Sequence, residues 1–113
     1  MPVRPSRVLA LSFLLATPLA AQGLAGTAWV AERVVARQAF GPRGLPTLRF
    51  ENGRVAAFDG CNRVMGPVTF TGADGIAVGR LAGTLMACPG ELEDQARAIR
   101  DGLARAARAV VRG

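Results

Sequence analysis

Two thiols, Cys61 and Cys88, are the residues of this chain best suited to chemistry, and they are its only cysteines. Cys61 sits in FDGCNRVMG (Phe58 to Gly66), and Cys88 closes LAGTLMAC (Leu81 to Cys88). A nucleophilic thiolate needs a base or an electropositive setting. Arg63 is close by, but the chain has no histidine to serve as base. The same lack counts against zinc, which two cysteines alone do not complete. A CxxC redox motif is absent. Asp59 and Asp74 offer carboxylates, yet turn formation accounts for both. The remaining readings are a disulfide, free thiols or a redox switch. An export signal favours the first. The loop it would close, about 28 residues, is worth roughly 3–4 kcal/mol in the chain-entropy model.

That signal is the first 21 residues. Arg4 and Arg7 form a positive start, Val8 to Ala16 is a short apolar run, and Pro18 precedes the small pair Ala20-Ala21. This is the layout of a secretory signal peptide, cleaved after Ala21, and the run is too short for an ordinary membrane span. The alternative is an uncleaved N-terminal anchor. No cysteine follows the run, so a lipid-modified N-terminus is not indicated. The expected division is therefore 1–21 as signal and 22–113 as one small domain.

At 113 residues, 50% hydrophobic and 19% charged, the chain is a globular type rather than a disordered polymer. The mature part is small enough that a covalent brace helps. All basic residues are arginine. The +6 net charge falls to +4 without Arg4 and Arg7, a modest excess that favours anionic surfaces without demonstrating one. Dispersed basic residues, 5% aromatics and export argue against nucleic acid. Histidine, tyrosine and lysine are all missing, which removes most ordinary acid–base and nucleophile candidates.

The elements that must position the cysteines are mostly strands. GTAWVAERVVA (Gly26 to Ala36) reads as a first strand, followed by a loop through Gly41-Pro42 and Gly44. LPTLRF-ENG-RVAAFDG then carries Asn52-Gly53, the signature of a two-residue hairpin. Pairing outward sets Glu51 opposite Arg54, Phe50 opposite Val55 and Leu48 opposite Ala57, with the apolar four on one face. Two further strands flank Gly72-Ala73-Asp74-Gly75, with Val68 and Phe70 before the turn and Ile76 and Val78 after it. LAGTLMA is a last extended piece. Within the corner between these strands, Gly60 supplies conformational freedom. Asn62 can tolerate a left-handed conformation and tie its side chain to nearby backbone.

From Gly90 the period becomes helical, with Leu92, Ile99, Leu103, Ala106 and Val110 on one stripe. Glu91, Glu93 and Asp94 suit the positive end of the helix dipole. Glu93–Arg97 and Asp101–Arg105 are spaced as ion pairs. Arg97, Arg100, Arg105 and Arg108 fall on the opposite side and are expected in water, not on a membrane. The tail RAVVRG suits a strand or a last helical turn. The expected fold is mostly β: a small antiparallel sheet or partly open barrel with one C-terminal amphipathic helix.

The order GTAWV, PTLRFENGRVAAFDGCNRVMG, LAGTLMAC and an acidic-start helix resembles the META domain family, the HslJ-like proteins of bacterial envelopes. The resemblance runs from about Leu24 to the end. Its motif positions are Trp29, Gly60, Asn62, Thr84 and Met86, beside Cys61 and Cys88. It implies a compact antiparallel fold with one helix, and an association with envelope stress and the cell surface rather than with enzyme chemistry. Members usually continue past the helix with two closing strands; RAVVRG matches the first, so the final closing strand is expected to be missing.

The expected function is therefore that of a non-catalytic exported domain, without cofactor or metal, which supports envelope integrity or stress response by binding an envelope protein or surface. The alternative is a secreted inhibitor or small-ligand binder of barrel type. Its contact loop would be Gln38 to Leu45, with Phe40 and Arg43 as the interacting residues.

Overall fold

The computed structural model describes residues 21–111. The expected signal peptide, Ala21 apart, lies outside the described residues. After a 3-10 turn at Ala21–Leu24 come eight strands and a helix: β1 (Ala28–Val30), β2 (Arg33–Val34), β3 (Arg37–Gln38), β4 (Thr47–Glu51), β5 (Arg54–Phe58), β6 (Arg63–Thr71), β7 (Gly75–Val78), β8 (Ala82–Gly83) and α1 (Gly90–Arg105).

The sheet grows from its central hairpin. Asn52 and Gly53 both take left-handed φ, 54° and 72°, which gives the mirror-image turn whose twist matches paired strands. The register of β4 on β5 is then the one expected: Glu51 faces Arg54, Phe50 faces Val55 and Leu48 faces Ala57. Glu51 nevertheless takes its ion pair from its own strand, from Arg49 at 3.4 Å. Strands β1, β4, β5, β6 and β7 lie side by side, all antiparallel, and β8 pairs β6 beyond the end of β7. Among the described residues the sheet stays open and does not close into a barrel.

One sheet face carries the main core. Phe50, Val55, Val68 and Ile76 are buried there with Leu24 and Val111, and Trp29, Leu48, Phe70 and Val78 pack against them. Phe50 and Phe70 meet at 6.0 Å with rings tilted by 60°, a favourable aromatic geometry. A second, smaller cluster joins Cys61, Leu92 and Ala96, with Cys88 against it. This is where the helix is fastened.

The expected first strand is not one strand. It breaks after Val30, and β2 and β3 form a separate two-stranded hairpin. Its turn is Val35-Ala36, with φ of 50° and 68°. A β-branched residue seldom takes that conformation, so nothing in the sequence marks a turn there. Val35 is 77% exposed at the tip.

The helix also departs from its expected stripe. It ends at Arg105, and Ala106 already has extended backbone. Beyond it the chain runs along the free edge of β7: Ala109 N donates to Asp74 O, Ile76 N donates to Ala107 O, and Arg108 bridges Gly75. Period-two alternation replaces the helical period. Val111 is therefore buried, and Val110, expected in the core, is 44% exposed. On the helix the buried residues are Leu92, Gln95 and Ala96.

Candidate functional site

The chemistry-bearing residues converge at one corner, between the end of β5 and the start of α1. Gly60 makes the corner possible. Its φ of 100° is open to glycine and strained for other residues, and an added Cβ would come within 2.7 Å of Gln95 Nε2 and 3.2 Å of Leu92 Cδ1. Gly60→Ala is expected to lower stability by about 2 kcal/mol or more, read from the midpoint of urea unfolding, because backbone strain and crowding against the helix act together.

Asp59 is fully buried and organises the turn. Its Oδ1 accepts hydrogen bonds from Cys61 N at 2.9 Å and Asn62 N at 2.6 Å. Asp59 N donates to Asn62 O, closing the loop on itself. Its other oxygen accepts from Arg100 Nη1 at 2.9 Å, and Arg100 Nη2 reaches Glu93 at 3.2 Å. Arg100 is thus a half-buried link between the corner and the helix, not one of four solvated arginines. Burial alone would lower its pKa, but hydrogen bonds and attraction from Asp59 and Glu93 outweigh that and leave it raised. Arg97 pairs with Glu93 at 3.5 Å as its spacing suggests. Arg108 leaves the helix face and pairs with Asp74 at 2.9 Å. Arg105 is exposed, and the Asp101–Arg105 pair does not form among the described residues.

Asn62 does more than the sequence suggests. It has no left-handed backbone, and beyond the sulfur of neighbouring Cys61 its side chain bonds a segment 22–24 residues away. Oδ1 accepts from Met86 N at 2.7 Å and from Thr84 Oγ1 at 2.8 Å. Nδ2 donates to Met86 O at 3.1 Å and lies 3.3 Å from Cys61 Sγ. The primary amide thereby mimics a peptide group and forms a one-residue β bridge with Met86. Arg63 continues the ladder with Thr84, whose N donates to Arg63 O and whose Oγ1 accepts from Arg63 N. Thr84 and Met86 therefore serve through a hydroxyl and a backbone respectively; the Met86 side chain is 42% exposed, and nothing in the structure explains why it is methionine.

Cys61 and Cys88 are disulfide-bonded across this corner, with Cα atoms 6.3 Å apart. That separation is within the range disulfides span. Cys61 is 3% exposed. The pairing fits an oxidising compartment outside the cytoplasm. The carboxylates once open to an acid–base role are apart: Asp59 belongs to the corner and Asp74 to the turn before β7.

Gln95, buried against Gly60 at the same corner, repeats the device of Asn62. Its Oε1 accepts from Phe40 N at 3.0 Å and its Nε2 donates to Phe40 O at 2.8 Å. The loop candidate Phe40 is thus held by its backbone, while its side chain is 41% exposed. Arg43 is exposed in the same loop. Gln95 itself escaped sequence reasoning because a polar residue on a helix gives no periodic signal. Trp29, in β1, donates from Nε1 to Thr27 Oγ1 at 2.7 Å and packs on the core.

An open antiparallel sheet whose corner is closed by a disulfide, an asparagine bridge and a buried Asp–Arg pair defines a stapled β domain with one docked helix. The chain belongs to the META domain family, whose model matches residues 22–113. A protein from Burkholderia xenovorans with a solved NMR structure is similar in fold: 23% identical, covering 91% of this chain and 69% of that one, with a TM-score of 0.58. A search of curated proteins finds no match.

Proposed function

We propose that this chain is an exported, non-catalytic META domain that contributes to envelope integrity or stress response by binding. The observation that carries this reading is how completely the corner consumes its reactive groups. Cys61 is bonded to Cys88, Asp59 is filled by two backbone N–H groups and Arg100, and Asn62 is occupied by Thr84 and Met86. Groups spent in this way brace a fold and leave no free nucleophile or base beside them. Among the described residues no helix is long and apolar enough to cross a membrane. Fractionation of cells expressing the full chain tests the reading. Periplasmic material lacking residues 1–21, with both thiols blocked to alkylation before reduction, is the expected result. Recovery from cytosol alone, with both thiols labelled, would overturn it.

Exposure at one end of the molecule favours a second reading, an inhibitor-like contact through the Phe40 loop. Phe40 and Val35 both present apolar side chains to solvent near that loop. Because Gln95 grips the backbone of residue 40 and not its ring, Phe40→Ala and Arg43→Ala are expected to change stability by less than about 1 kcal/mol. Loss of partner capture at unchanged Tm supports this contact; loss of stability shows that the loop is only packing.

A further inference from the structure

The sheet has a second face, and it is apolar without being core. Alternation along the strands turns Val30, Ala56, Phe58 and Met65 away from the main core, in neighbouring positions of β1, β5 and β6. Val30 is 58% and Met65 46% exposed. Together with Arg49 and Arg63 they line an open trough of about 1030 Å³ across five strands, large by the measure of small-molecule sites. Exposed apolar surface of this kind calls for an occupant.

Charge identifies the occupant. Arg63 stacks over the Phe58 ring, 5.1 Å from its centroid, and has no carboxylate partner among the described residues. Arg49 shares only a surface contact with Glu51, where both side chains are more than half exposed. A second copy of the chain would add its own Arg49 and Arg63 to the shared patch, with only Glu51 of each copy on this face of β4 to offset them. A flat bilayer does not fill a concave trough. A single flexible hydrocarbon chain with an anionic head does: methylenes lie against Phe58, Met65 and Val30, and the head meets the guanidinium of Arg63. We infer that this face binds one long-chain carboxylate, with Arg63 as the anion-binding residue. The inference deepens the reading of the chain as a binding module and rests on it.

Trp29 is the only tryptophan and sits in β1 between the trough residues Ala28 and Val30, with its ring on the core face, so it reports occupancy through the thickness of one sheet. The test is a titration of the oxidised protein with dibromostearate, whose bromines quench indole fluorescence on close approach. Saturable quenching is expected. Met65→Glu, at a half-exposed position that leaves the core intact, should abolish it while circular dichroism stays unchanged. Arg63→Gln should weaken it about tenfold, as loss of one charge-assisted contact implies. Phosphatidylglycerol vesicles carrying brominated chains should quench far less than the free acid.

Absence of quenching in the folded wild type overturns the inference. So does quenching that neither substitution changes. Equal or stronger quenching by vesicles assigns the face to a bilayer instead. A dimer in sedimentation that Met65→Glu dissociates assigns it to a second copy. Thiol titration of the same sample separates this from failure of the export reading, since free Cys61 and Cys88 would contradict that reading whatever Trp29 reports.

Discussion

Asn62→Ala is expected to destabilise the domain by about 3 kcal/mol, among the larger effects of any single substitution. The side chain bonds Met86 N, Met86 O and Thr84 Oγ1 at 2.7, 3.1 and 2.8 Å while only 4% exposed. Alanine leaves those part-buried groups without their partner at the sheet edge, where water reaches some of them, so each costs near the lower end of about 1–3 kcal/mol. Asn62→Asp is a sharper probe. It keeps an acceptor for Met86 N but sets a carboxylate oxygen where an N–H donated to Met86 O. It should therefore rescue little. Urea unfolding of the three proteins, all oxidised, measures this; an alanine variant within about 0.5 kcal/mol of wild type, the usual range of neutral surface changes, would show that the bridge is incidental.

Removing the disulfide, through Cys61→Ala with Cys88→Ala, is expected to cost about 3–4 kcal/mol by the chain-entropy account. For a domain this small that is a large share of a total near 5–15 kcal/mol. The substitution also hollows the small cluster of Cys61, Leu92 and Ala96. The two effects should not add. Met86, held by Asn62, is two residues from Cys88, so both devices tie the same segment to the same corner. A double-mutant cycle between Asn62→Ala and the cysteine pair should give a coupling of about 1 kcal/mol or more. Strict additivity would mean that the segment is held independently at each point.

The central hairpin and the helix were legible in the sequence for simple reasons. Asn52-Gly53 can hardly be anything but a tight turn between Phe50 and Val55, and Leu92, Ile99 and Leu103 recur with a helical period. The disulfide was legible because two cysteines without histidine left few alternatives. What escaped was long-range polar pairing. Asp59 and Arg100 are 41 residues apart and join only in three dimensions. Asn62 in a turn invited a local reading, and its partner proved to be a distant backbone. The Val35-Ala36 turn was hidden because its residues prefer strands, and tertiary context prevailed over propensity. Val110 faces out although its spacing set it on the apolar stripe, because the helix ends at Arg105 and extended backbone follows.

Two carboxamides, one at position 62 and one at 95, stand in for strands this small sheet does not have. Each clasps the N–H and C=O of a single residue, so the segment it holds is pinned at one point rather than zipped along its length. Such a clasp opens all at once. When Asn62 lets go, the segment around Met86 hangs only from the bonds of Thr84 to Arg63 and from the disulfide, and the Cys61 sulfur, otherwise shielded, meets solvent in the same event. Access of a small reductant to the Cys61 sulfur is then gated by the grip of an amide, and the two should slacken at a common rate on warming.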